Sequence, residues 1–189
     1  GLATAQEAKQ YVGNIAGKRI LILVGPGNNG GDGLVAARHL ARWGASLTAY
    51  LVTGRPPDDP NLPLALVEGV DAISASFDRD YQRLDYELCH SDLVIDAVLG
   101  TGQSRPLEGV IKEVMLLTQS RSGPFMAVDL PTGVDADTGQ TDPAAPKVDF
   151  TVCLGFPKIG LLKVPAADKA GFLSTVDIGI PPHTSEDIS

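Results

Sequence analysis

Nearly continuous apolar runs alternate along this chain with stretches whose apolar positions recur every three or four residues. Arg19-Ile-Leu-Ile-Leu-Val24 and Leu93-Val-Ile-Asp-Ala-Val-Leu99 have the content of strands buried on both faces. Between them, Gly33-Leu-Val-Ala-Ala-Arg-His-Leu-Ala-Arg-Trp43 has the spacing of an amphipathic helix. The same pattern predicts helices over 3–12, 32–43, 62–69, 79–90 and 107–120, and strands over 19–24, 46–52, 72–75, 93–99, 125–130, 149–154 and 172–178. A proline-rich loop (55–60), a glycine loop (100–106) and a long polar loop ending at Lys147 separate them. Strands alternating with helices imply an α/β protein: a three-layer α/β/α, Rossmann-like fold with a mostly parallel sheet and right-handed crossovers. In such sheets ligands bind beyond the carboxyl ends of the strands, where the strand order reverses.

The most specific turn follows the first strand. Val24-Gly-Pro-Gly-Asn-Asn-Gly-Gly-Asp-Gly-Leu34 carries five glycines, which let backbone N–H groups at a helix start approach a ligand closely. Gly25-Pro-Gly-Asn-Asn-Gly30 fits the G-x-G-x-x-G dinucleotide fingerprint. The acidic ribose ligand expected roughly 20 residues on is missing, because the second strand runs into Thr53-Gly54-Arg55. Asn28, Asn29 and Asp32 instead supply side-chain oxygens suited to hydroxyls, amides or a hard cation. A tight turn in which Asp32 caps the helix is the plainer alternative.

Other unusual residues fall at strand ends too. Asp96 sits late in an apolar strand, before Gly100-Thr-Gly-Gln-Ser-Arg-Pro106, whose small residues, hydroxyls and arginine suit phosphates. Asp129 ends the next strand, before Leu130-Pro-Thr-Gly-Val134. A carboxylate in an apolar strand is costly unless it meets a cation or donors. Local backbone N–H groups could serve Asp96 and Asp129, with Thr132 a turn hydroxyl.

Composition narrows the classes. With 189 residues and 43% hydrophobic content, the chain suits one compact domain with a three-layer core. A net charge of -8 without a basic run argues against nucleic acid or an anionic membrane as a partner. Cys89 and Cys153 lack metal-ligand spacing and read as buried free thiols of a reducing compartment. With no apolar stretch near the roughly 20 residues that span a bilayer, and no basic-then-apolar leader, the expectation is a cytoplasmic protein. His39, His90 and His183 fall on a helix face, a helix end and the tail, positions of packing or surface roles.

Four ordered motifs, Gly25-Pro-Gly-Asn-Asn-Gly-Gly-Asp-Gly33, Ile95-Asp-Ala-Val-Leu-Gly-Thr-Gly102, Val128-Asp-Leu-Pro-Thr-Gly133 and Gly155-Phe-Pro-Lys-Ile-Gly-Leu161, resemble the YjeF N-terminal domain, the NAD(P)HX epimerases. Val176-Asp-Ile-Gly-Ile-Pro181 resembles that family's last strand. The resemblance implies an isomerase of metabolite repair that interconverts the R and S forms of hydrated NADH and NADPH (NADHX, NADPHX). It assigns residues 1–182 to the domain and 183–189 to a tail or linker, ahead of a C-terminal dehydratase domain in many bacterial members. Members of the family usually carry a longer N-terminal helical segment than the Gly1-Leu-Ala-Thr-Ala-Gln-Glu-Ala8 stretch, and a homodimer is compatible with the family.

Carried over residue by residue, the resemblance makes Asn28, Asn29, Gly30, Gly31 and Asp32 substrate contacts. It gives Gly100, Thr101, Gly102, Gln103, Ser104, Arg105 and Pro106 to the loop around the phosphates. Asp129 falls near the reacting ring, and Asn29, Asp96 and Thr132 hold a potassium ion, with threonine where the family commonly has serine. Inverting a hemiaminal carbon breaks and remakes its bond to oxygen with movement of a proton. The candidates for that proton are Asp129 first and Asp32 second, with Lys158 as electrostatic partner. The alternatives are a non-catalytic relative of the same fold serving as a scaffold in RNA metabolism, and an NAD(P)-dependent dehydrogenase.

Overall fold

The computed structural model describes residues 1–102 and 105–177, so Gln103, Ser104, the end of the last expected strand and the 183–189 tail lie outside the described residues. Seven strands, β1 (Arg19–Val24), β2 (Ser46–Leu51), β3 (Asp71–Ser74), β4 (Leu93–Ala97), β5 (Phe125–Val128), β6 (Phe150–Leu154) and β7 (Phe172–Val176), form one sheet. Its order is β3-β2-β1-β4-β5-β6-β7, and every described pairing is parallel. The order reverses between β1 and β4, which opens a crevice beyond their carboxyl ends.

Alternation along β1 builds both faces. Ile20, Ile22 and Val24 pack with Ala5 and Ala8 of α1 (Leu2–Val12), Leu34 and Leu40 of α2 (Asn28–Arg42) and Ala65 of α3 (Asn61–Val67). Leu21 and Leu23 face the other way, toward Leu84 and Leu88 of α4 (Gln82–His90) and Val114 and Met115 of α5 (Gly109–Leu117). These are the expected three layers. Among the described residues no helix is long and apolar enough to cross a membrane.

The differences from expectation have local causes. α2 begins at Asn28 and not at residue 32: Gly27 is extended at the N-cap, and the Gly31 N–H closes the first turn on the Gly27 carbonyl at 3.2 Å. Asp32 therefore lies inside the helix and does not cap it. The 79–90 segment is a short 3-10 turn followed by α4, because Asp80 and Tyr81 have positive φ of 53° and 55°. A further short helix, α6 (Ala166–Ala170), precedes β7. Cys153 is buried as expected, whereas Cys89 is exposed because it faces away from the sheet on α4.

Candidate active site

The first wall is α2's opening turn. Asn, Asn, Gly and Gly are poor helix formers, yet tertiary contacts hold them helical. A Cβ on Gly30 would overlap the Gly25 carbonyl oxygen and come within 2.7 Å of Arg55 Nη1, so only glycine fits. Arg55 Nη1 donates to the carbonyls of Gly25 (2.6 Å) and Gly27 (2.8 Å), and Nε donates to Asp59 Oδ2 at 2.9 Å. From the other side, the Gly25 N–H donates to the Ala97 carbonyl at 3.1 Å and ties the turn to β4. Arg55 and Asp59 are functional candidates that sequence reasoning missed. Their i,i+4 spacing in the proline-rich loop was the available signal.

The second wall joins the ends of β4 and β5. Asp96 and Thr132 are fully buried. Thr132 donates to Asp96 through its N–H (2.8 Å) and its hydroxyl (2.7 Å), and the Val98 N–H adds a third bond at 3.1 Å. The Leu99 N–H donates to Thr132 Oγ1 (3.0 Å), while Asn29 Nδ2 donates to the Leu99 carbonyl (3.1 Å). One chain of bonds thus links Asn29, Leu99, Thr132 and Asp96. Burial pushes the Asp96 carboxyl up to about 6, against the pull of its three donors, none of which carries a charge.

That donor set bears on a cation. Asn29 Oδ1, Thr132 Oγ1 and the Asp96 carboxylate are all oxygens, with a single charge among them. Such hard, weakly charged donors, one of them a buried carboxylate without a cationic partner, fit a monovalent cation. Among the described residues there is no group of three His, Cys, Asp or Glu of the kind a transition ion would use.

Asp129 follows β5 with φ 70°, and the Leu130 N–H turns back to the Val128 carbonyl at 2.9 Å. The residue is thus the centre of a tight γ-turn in a region that L-residues avoid, and strain of this kind clusters at functional sites. Lys158 Nζ donates to Asp129 Oδ1 and to the Leu154 carbonyl (3.0 Å), and the Leu154 N–H donates to Oδ1 at 3.3 Å. Among the described residues Oδ2 takes no hydrogen bond. Cys153, on β6 beside this pair, has its thiol pushed up to about 11 by burial, which leaves it inert as a nucleophile.

A cavity of about 760 Å³ lies over these strand ends. Asn28, Asn29, Asp32, Gly100, Thr101, Gly102, Arg105 and Asp129 line it, together with Val98, Leu99 and Leu154, which sequence reasoning did not single out. Asp32 is a third exposed at its side chain, and its Oδ1 lies 3.0 Å from the Gly1 nitrogen. Gly30 and Gly31 sit behind the wall in α2, as do Asp96, Thr132 and Lys158 in theirs, and none of the five lines the cavity. Pro106 lines an adjoining cavity of about 340 Å³ that shares Arg105. At about 760 Å³ the main cavity is in the range of sites for sizeable small ligands.

A family model described as YjeF-related protein N-terminus matches residues 1–160. The bifunctional NAD(P)H-hydrate repair enzyme Nnr of Thermofilum pendens is 40% identical over 88% of this chain and 32% of its own. The enzyme of the same name from Moorella thermoacetica is 38% identical, over 92% of this chain and 33% of its own. The chain thus spans about a third of the length of these curated relatives. NAD(P)H-hydrate epimerase of Nitrosopumilus maritimus is 35% identical over 100% of this chain and 86% of its own. Among solved structures, yeast ynu0 (YNL200c) superposes with a TM-score of 0.75 at 25% identity, covering 95% of this chain and 77% of the yeast chain.

Proposed function

The chain belongs to the family of the YjeF-related protein N-terminus, and we propose that it epimerises NADHX and NADPHX at the carbon bearing the added hydroxyl. The observation that carries this reading is Asp129: a carboxylate on a strained turn, one oxygen held by Lys158 and the Leu154 N–H, lining the same cavity as Asn28, Asn29 and Asp32. In the proposed reaction the ring nitrogen's lone pair expels the hydroxyl as it is protonated, leaving a planar carbon. Water then adds to the opposite face and returns a proton. Asp129 moves that proton through Oδ2, while Lys158 orients the carboxylate through Oδ1. Asp32 is the second candidate for the proton, from the α2 side.

The amide donors of α2's first turn and the loop of Gly100, Thr101, Gly102 and Arg105 bind the substrate and its phosphates in this reading. Asn29, Asp96 and Thr132 would hold a potassium ion, which supplies positive charge beside the bound anion and offsets the buried Asp96 carboxylate. A dehydrogenase reading is disfavoured in the loop after β2, where the buried Asp59 carboxylate is already taken, Oδ2 by Arg55 Nε and Oδ1 by Asn61. Two free thiols fit a reducing, cytosolic setting, and the bifunctional relatives support a dehydratase as the consumer of the S form.

The test supplies purified R-NADHX and R-NADPHX and follows the S form by chromatography, with NADH and simple carbonyls as the hydride-transfer control. Conversion above the blank without NADH oxidation supports the proposal. Carbonyl-dependent loss of NADH absorbance without epimerisation would overturn it in favour of a dehydrogenase.

A further inference from the structure

We infer that Arg55 is a positioning residue for the substrate wall formed by α2, acting through the backbone and not through the ligand. The inference rests on the proposed epimerase reading for its kinetic consequence. Arg55 follows the end of β2 and does not line the 760 Å³ cavity. It lines an adjoining cavity of about 590 Å³ that shares Pro26, Gly27, Asn28 and Asp32 with it, and its own hydrogen bonds go to the Gly25 and Gly27 carbonyls and to Asp59. Its side chain is 6% exposed and that of its partner Asp59 is 5% exposed.

Two carbonyl oxygens, of Gly25 and Gly27, converge on one guanidinium nitrogen. Without that donor two like dipoles would be left facing each other in a partly buried site. A trans peptide also sets its N–H opposite its C=O. With the Gly27 carbonyl fixed on Arg55, the Asn28 N–H points away from Arg55, which orients the first donor of α2. Asp59 orients the guanidinium in turn and is itself held by the N–H and the Nδ2 of Asn61, both at 3.2 Å.

Because Asp59 neutralises Arg55, the guanidinium adds little net charge to the cavity, and its effect should be geometric. An Arg that only attracted phosphate would be replaceable by Lys. Here Nη1 serves both carbonyls while Nε is fixed by Asp59, a division of donors along one rigid plane that an ammonium cannot reproduce in full.

The experiment compares wild type with Arg55→Met, Arg55→Lys and Asp59→Asn, well below each variant's unfolding temperature. Two readouts are used: steady-state epimerisation of R-NADHX, and amide hydrogen exchange of residues 27–31. Loss of these charge-assisted bonds should raise KM about tenfold in Arg55→Met, with a smaller fall in kcat. Exchange at residues 27–31 should accelerate in parallel, Arg55→Lys should recover part of both, and Asp59→Asn should shift both less. If Arg55→Met does not fold, Arg55→Lys and Asp59→Asn carry the same comparison. Unchanged exchange at residues 27–31 in the variants, or a fall in kcat with KM unmoved, would overturn the inference. A wild-type protein without turnover would refute the epimerase reading, while the exchange readout would still decide for or against the clamp.

Discussion

A graded set of alanine substitutions in the first turns of α2 tests the packing that shapes the site. Helix propensity alone favours Ala over Gly by about 1 kcal/mol at every interior position, so any difference between positions reports the surroundings. At Gly31 a new Cβ meets only side-chain ends, Asn61 Nδ2 at 3.2 Å and Arg55 Nη2 at 3.5 Å. These can yield, and Gly31→Ala should lie between neutral and about 1 kcal/mol more stable. At Gly33 the Cβ comes within 2.6 Å of Ala97 Cβ and 3.3 Å of Ile22 Cγ2, against the sheet, so overpacking should exceed the propensity gain by about 1 kcal/mol. At Gly30 the Cβ collides with the Gly25 carbonyl itself and crowds Arg55 Nη1 at 2.7 Å. Overpacking and a weakened charge-assisted hydrogen bond, less the propensity gain, leave a net loss of roughly 2–4 kcal/mol. Urea unfolding, read as midpoint shifts at constant m-value, ranks the three. A Gly30→Ala protein as stable as Gly31→Ala would refute the reasoning, because the carbonyl would then have moved aside at no cost.

Asp129→Gly should be more stable than Asp129→Ala by about 1 kcal/mol, since both lose the carboxylate but only glycine tolerates φ 70° without strain; thermal unfolding that ranks alanine first would refute this. Potassium at about a hundredfold over its Kd should stabilise the wild type by about 2.7 kcal/mol, and Asp96→Asn should abolish the shift, as read by denaturation in matched potassium and choline salts. The Arg55 hydrogen bond holds the Asp59 carboxyl below its usual 3.8, so its contribution is complete above that value and is lost as pH falls through the lower folded value. Asp59→Asn should therefore flatten the stability-against-pH curve below pH about 4, and an unchanged acid slope would refute that assignment.

Much of the fold was legible because it depends on local periodicity. Alternating runs such as Arg19-Ile-Leu-Ile-Leu-Val24 specify strands buried on both faces, and such strands joined by helices leave few sheet arrangements. The start of α2 was misread by four residues because Asn28, Asn29, Gly30 and Gly31 are weak helix formers, and what makes them helical is the close approach of Gly25, Arg55 and Asn61. The expected strand 125–130 stops at Val128 because Asp129 turns into positive φ, and strand 93–99 stops at Ala97, where the Val98 N–H folds onto the Asp96 carboxylate. Asp96, Thr132 and Asn29 were visible as oxygen carriers at neighbouring strand ends. Their joining through the Leu99 backbone was not, since it depends on contacts more than 30 residues apart. The hold of Arg55 on the turn was invisible for the same reason: beyond its spacing to Asp59, its partners are the Gly25 and Gly27 carbonyls, which carry no signature in side-chain chemistry.

The most direct measurement is the rate at which R-NADHX becomes S-NADHX with potassium present, for wild type and Asp129→Asn side by side against a protein-free blank. The account predicts wild-type conversion well above the blank. For Asp129→Asn it predicts kcat lower by about 10²–10⁴ with a smaller change in KM, the loss expected when a general acid/base is removed. A wild-type progress curve that overlays the blank, or an Asp129→Asn protein with wild-type kcat, would contradict it.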